Sequence, residues 1–65
     1  MPIVRIDMWE GRTVAQKRLL VRELTQVLAR VAECDPATVR IVITDVPKEN
    51  WAIGGELQSD REMPS

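Results

Sequence analysis

The chain has no histidine, one cysteine and three glycines among its 65 residues. Cys34 stands alone, so no disulfide can form within the chain. One thiol without histidine also makes a poor zinc site, and no metal or cofactor is expected. No apolar run approaches the ~20 residues that span a bilayer. The first residues show no basic segment leading into an apolar stretch, so no signal peptide is expected. Charge of one sign is lacking too: nine Lys and Arg against ten Asp and Glu leave a net charge of −1. With both signs mixed along the chain, neither nucleic acid nor an anionic membrane is an expected partner. An unpaired thiol without a targeting signal fits a reducing, cytoplasmic setting.

What is there is apolar enough to fold: 45% of the residues are hydrophobic, so the chain is not a disordered tail. Residues 1–65 make one small domain, with no internal repeat. A domain this short buries only about 60% of the surface its unfolded chain exposes. Lacking a disulfide or metal staple, it is left with association as its source of extra stability.

The pattern along the chain gives the order strand, helix, strand, short β element. Pro2 to Trp9 reads PIVRIDMW. Val4, Ile6 and Met8 alternate with Ile3, Arg5 and Asp7, which is strand periodicity with one buried face. Pro2 has no backbone N–H and suits only the first position of such a strand. After Glu10-Gly11-Arg12, the sequence Thr13-x-x-Gln16 is a capping-box pattern. Leu20, Leu24, Val27, Leu28 and Val31 then follow at helical spacing, with Val21 on the flank. The spacing predicts one amphipathic helix with a single apolar stripe, from about Thr13 to about Glu33.

Asp35-Pro36 starts a short turn. Val39 to Val46 reads VRIVITDV, nearly all apolar and β-branched, as in a strand buried on both faces. Pro47 to Asn50 is a loop. Gly54-Gly55 within Trp51 to Leu57 suggests a tight turn or small hairpin, and 59–65 is expected to fray. A strand-helix-strand unit closes with its two strands parallel. One helix leaves a sheet face and an edge uncovered, so the fold class is α+β, a β-α-β protomer whose sheet is completed in a dimer.

Within this pattern Arg40 is conspicuous, because an unpaired charge inside an apolar strand is costly. Strand parity puts it opposite Val39 and Ile41 and on the face of Val42 and Thr44. Arg5, Arg18, Arg22, Arg30 and Lys48 are read as solvated surface charges. Cys34 is read as inert packing at the helix end.

Several stretches together resemble the 4-oxalocrotonate tautomerase family. They are Met1-Pro2-Ile3, Glu10-Gly11-Arg12-Thr13, Gln16-Lys17, Val39-Arg40-Ile41-Val42-Ile43-Thr44 and Ile53-Gly54-Gly55-Glu56-Leu57. They align without a gap over nearly the whole chain. The resemblance implies the tautomerase fold and a homohexamer, a trimer of dimers with active sites between subunits. It also implies a cofactor-independent keto–enol isomerase acting on a 2-hydroxy-dienoate or 2-keto acid such as 2-hydroxymuconate, in the degradation of aromatic compounds.

The resemblance assigns the chemistry to particular residues. Removal of Met1 would make Pro2 the amino terminus, a secondary amine able to serve as general base. An ordinary α-amino group titrates near ~8. An apolar, cation-lined site favours the neutral amine, which brings the base toward working pH. Arg12 is expected to hold the distal carboxylate. Arg40 is expected to hold the carboxylate and oxygen near the reacting carbon, since guanidinium offers a planar fork and a permanent charge. Trp51 occupies the family's aromatic position, where a wall would exclude water, and Thr38 a hydroxyl position near the substrate. Trp9 stands where close relatives have leucine, so the pocket is expected to be narrowed or reshaped there. Two other readings use the same residues. A protonated Pro2 could act as an acid in hydrolytic dehalogenation or decarboxylation; the former would want a carboxylate near the site to activate water, and Glu56 and Asp7 are available in the sequence although nothing in it places either there. A chain that kept Met1 would be a non-catalytic small oligomer.

Overall fold

The computed structural model describes residues 2–61, and Met1 and residues 62–65 lie outside the description. Strand β1 (Ile3–Trp9) leads to helix α1 (Val14–Val31), a 3-10 turn (Pro36–Thr38) and strand β2 (Arg40–Val46). A second 3-10 turn (Lys48–Asn50), strands β3 (Ala52–Ile53) and β4 (Glu56–Leu57) and a helical turn α2 (Gln58–Arg61) follow. β1 and β2 run parallel, in a register from Ile3 beside Arg40 to Trp9 beside Val46. β3 and β4 form an antiparallel hairpin. Its turn needs the left-handed backbone of Gly54 (φ 62°) and Gly55 (φ 87°).

The helix starts as its sequence predicts. The Thr13 hydroxyl accepts from Gln16 N–H at 3.1 Å, and Thr13 N–H donates to Gln16 Oε1 at 2.9 Å. Two of the amides that a helix start leaves without partners are thereby satisfied. The second expected start also forms, with Ala37 N–H donating to the Asp35 carboxylate at 3.0 Å. At the far end of α1, Glu33 takes up the left-handed conformation with φ 53°, a position usually given to Gly or Asn.

One face of the two-stranded sheet meets α1. Val4, Ile6 and Met8 of β1 and Ile41 and Ile43 of β2 are half-buried there. So are Leu20, Val21, Leu24 and Leu28 on the helix. Asp45 shares the Ile41 and Ile43 face by strand parity, and Lys17 of α1 pairs with it, tying the first turn of the helix to the end of β2. The apolar stripe of α1 is wider than this sheet can cover, since Val27 is 44% and Val31 68% exposed.

The opposite face is open. Ile3 (57% exposed) and Val42 (42%) stand on it among Arg5, Asp7, Arg40 and Thr44. The expectation that β2 is covered on both faces is therefore not met within one chain: a single helix covers one side only. Of the tail expected to fray, residues 59–61 stand in the helical turn Gln58–Arg61, with Gln58 N–H donating to Trp51 C=O at 2.7 Å. The rest of that expectation, residues 62–65, lies outside the described residues.

Among the described residues no side chain is fully buried. The protomer exposes 5111 Å², against about 4,200 Å² for a compact monomer of this size. Its radius of gyration is 15.4 Å, against about 11 Å for a globular chain of equal length. The excess surface, about 900 Å², is close to what one partner buries in a standard interface. The lone protomer is thus an incomplete folding unit.

Two local features give stability predictions. Thr13→Ala removes the helix cap and should cost about 1 kcal/mol. Glu33→Gly should stabilise by a few tenths to about 1 kcal/mol, because relief of left-handed strain outweighs the entropy added to the unfolded chain. Thermal melts at one fixed protein concentration check both, as the midpoint of an associating chain depends on concentration.

Candidate active site

At the start of the parallel pair, the Pro2 carbonyl accepts from Arg40 N–H at 3.0 Å, which fixes Pro2 beside the first residue of β2. The 3-10 turn before β2 delivers two more groups to this end. Thr38 N–H donates to Asp35 C=O at 2.9 Å and Val39 N–H to Pro36 C=O at 3.2 Å, closing the turn. The Thr38 hydroxyl donates to Asp35 C=O at 2.7 Å, so its proton is committed to the turn while its oxygen can still accept. The Arg40 guanidinium reaches back to Ala37 C=O at 3.3 Å. Arg40 shares the open face with Val42 and Thr44, as strand parity predicts.

The other end of the sheet carries the aromatic groups. Trp9 closes β1, and the next residue holds the ladder with Glu10 N–H donating to Val46 C=O at 3.1 Å. Trp51 follows the second 3-10 turn, its N–H donating to Lys48 C=O at 3.3 Å. The two indoles meet edge to face, with centroids 5.8 Å apart and planes at 82°. Arg12 extends one N–H toward Trp9 C=O at 3.5 Å.

Lys48, read from the sequence as a solvated charge, is instead half-buried with its Nζ 5.2 Å from the Trp9 ring centroid. The 3-10 turn Lys48–Asn50 folds it back over the end of β1. Its position three residues before an aromatic, in a turn opened by Pro47, is the signal that could have pointed to it.

The residues singled out from the sequence therefore form two groups. Pro2, Thr38 and Arg40 lie at one end of the sheet, and Trp9, Arg12 and Trp51 at the other. Six strand steps of ~3.3 Å separate the ends of β1, about 20 Å in all. No single protomer closes that gap, and among the described residues it encloses no pocket. Among the described residues neither Arg12 nor Arg40 pairs with a carboxylate. Each guanidinium thus has donors left for an anion. Glu56 pairs with Arg61 at 3.5 Å. Asp7 lies beside Thr44, about five strand steps from Pro2, or roughly 16 Å. In this chain Asp7 thus does not stand beside Pro2, and Glu56 is engaged with Arg61.

Comparison with known proteins gives a consistent result. Residues 2–61 match the family model described as tautomerase enzyme. A 2-hydroxymuconate tautomerase of Pseudomonas putida is 46% identical over 55 residues, covering 85% of this chain and 87% of that protein. A structure from work on the 4-oxalocrotonate tautomerase isozymes of Methylibium petroleiphilum superimposes with a TM-score of 0.86 at 39% identity, covering 95% of this chain and all of that one. A heterohexamer 4-oxalocrotonate tautomerase from Chloroflexus aurantiacus gives a TM-score of 0.85 at 37% identity, covering 92% and 97% of the two chains. The β-α-β protomer with parallel strands and one long helix is thus the tautomerase fold, and the chain belongs to the tautomerase family of isomerases.

Proposed function

We propose that the chain is a cofactor-independent keto–enol tautomerase in which Pro2, as the amino terminus, is the general base. Its substrate is 2-hydroxymuconate or a similar dienol or 2-keto acid, the substrate named for the Pseudomonas putida relative. The observation that carries this reading is the 3.0 Å main-chain hydrogen bond that sets Pro2 beside Arg40, a residue whose guanidinium has no carboxylate partner among the described residues.

The chemistry follows from these groups. The neutral Pro2 nitrogen takes the proton of the 2-hydroxyl, and the oxygen's electron pair becomes a carbonyl. Electron density passes through the diene to a remote carbon, which takes the proton back from Pro2. No atom is gained or lost, and the product is the conjugated ketone. Arg40 stabilises the negative charge that develops on the oxygen. Arg12 holds the distal carboxylate, Trp51 and Trp9 wall the substrate off from water, and Thr38 lies beside it.

The site is assembled from more than one chain. A neighbour running antiparallel sets its Trp9, Arg12 and Trp51 end beside this chain's Pro2 and Arg40 end, and covers surface the protomer leaves bare. A hexamer built as a trimer of dimers satisfies both needs. A reducing, cytoplasmic setting agrees with the unpaired Cys34, and aromatic degradation is the setting in which a hydroxymuconate arises.

Ketonisation of 2-hydroxymuconate, followed on protein whose loss of Met1 is confirmed by intact mass, tests the reading. Pro2→Ala should lower kcat/KM by at least about a hundredfold, the low end of what a positioned base contributes. Full activity in that variant would sink the proposal. Arg40→Ala should act mainly on kcat and Arg12→Ala mainly on KM, each by roughly ten- to a hundredfold, as expected for one lost charge-assisted hydrogen bond. Activity should fall as pH drops below the pKa of the amine, because protonation occupies the lone pair. A rise instead would mark Pro2 as an acid and favour dehalogenation or decarboxylation.

A further inference from the structure

The aromatic end of the site holds a contact that the tautomerase reading does not use. The Trp9 indole N–H is shielded from solvent and makes no hydrogen bond within the described residues. Hydrogen bonding therefore does not set the ring's orientation; ring contacts do. One is the edge-to-face meeting with Trp51 at 5.8 Å. The other is the Lys48 ammonium, 5.2 Å from the Trp9 centroid. Tryptophan is the strongest aromatic partner for a cation, and half-burial strengthens the attraction. The same short turn joins the pair through the backbone, because Trp51 N–H donates to Lys48 C=O at 3.3 Å. Lys48 thus grips one indole with its side chain and steers the other with its main chain.

We infer that Lys48 is a positioning residue: it clamps Trp9 against Trp51 and so fixes the wall on which a flat, conjugated acid lies. The inference rests on the tautomerase reading above. It also gives Trp9 a defined job. Its carbonyl meets Arg12 at 3.5 Å and its ring meets Lys48 and Trp51, so it couples the carboxylate-binding arginine to the aromatic wall. A loosened wall weakens binding of substrate and transition state alike, which acts on KM and leaves kcat nearly unchanged.

The test compares Lys48→Met, which keeps an apolar stem but loses the charge, with Lys48→Arg, which keeps the cation. KM and kcat are measured with 2-hydroxymuconate, and the exciton signal of the indole pair is followed by circular dichroism. Lys48→Met should raise KM about two- to fivefold with kcat unchanged and weaken the indole signal. Lys48→Arg should restore both. A Lys48→Met protein with parental KM overturns the inference, whether or not its indole signal changes. So does a loss confined to kcat, or one that Lys48→Arg fails to rescue. A parent chain that does not isomerise the dienol acid overturns the tautomerase reading, and this inference falls with it. An active parent with an indifferent Lys48 overturns this inference alone.

Discussion

Two parallel strands need a crossover to join them, and the 18-residue helix that provides it covers only one of their two faces. Most of the remaining structure follows from that constraint. Ile3 and Val42 stand bare on the uncovered face, no described side chain is fully buried, and the chain is more extended than a globular domain of its length. A second helix or sheet packed on that face within the chain would have relieved this. The C-terminal segment instead makes a separate hairpin, with Ile53 52% exposed and a turn that only a pair of left-handed glycines permits. Within one chain, the open face and the apolar side chains on it remain uncovered.

The same constraint shapes the chemistry. A parallel pair places the starts of both strands together and their ends together. Residues at the starts, such as Pro2 and Arg40, gather at one end, and residues after the ends, such as Arg12 and Trp51, at the other. The strands that hold these groups rigidly also keep them apart. Under the proposed function, a base at Pro2 and groups that bind the far end of its substrate would meet only across a subunit boundary.

The local structure was largely legible in the sequence. The alternation of Val4, Ile6 and Met8, the Thr13 and Gln16 capping box, the Asp35-Pro36 turn and the Gly54-Gly55 hairpin each report a short-range preference, and each formed as expected. The face of Arg40 could be read for the same reason, since strand parity is local. Legibility ended where the outcome depended on packing. The run from Val39 to Val46 looks buried on both faces from its apolar, β-branched composition, whereas one chain covers only one side. Val27 and Val31 widened the apparent helix stripe on the same account. Lys48 was misread as a solvated charge because its neighbour Trp9 is 39 positions away in sequence, and only the turn at Pro47 brings the two together.

The central claim is that a working site joins the Pro2 end of one chain to the Arg12 end of another. The most direct measurement mixes two variants, Pro2→Ala and Arg12→Ala, each crippled alone. The two chains are co-expressed or refolded together, and the rate of the mixed oligomer is compared with the sum of the separate rates. The account predicts that the mixture regains activity, because some sites then combine an intact Pro2 from one chain with an intact Arg12 from the other. A mixture that forms mixed oligomers and yet stays at the sum of its parts would contradict it, and would mean that both residues serve one site from the same chain.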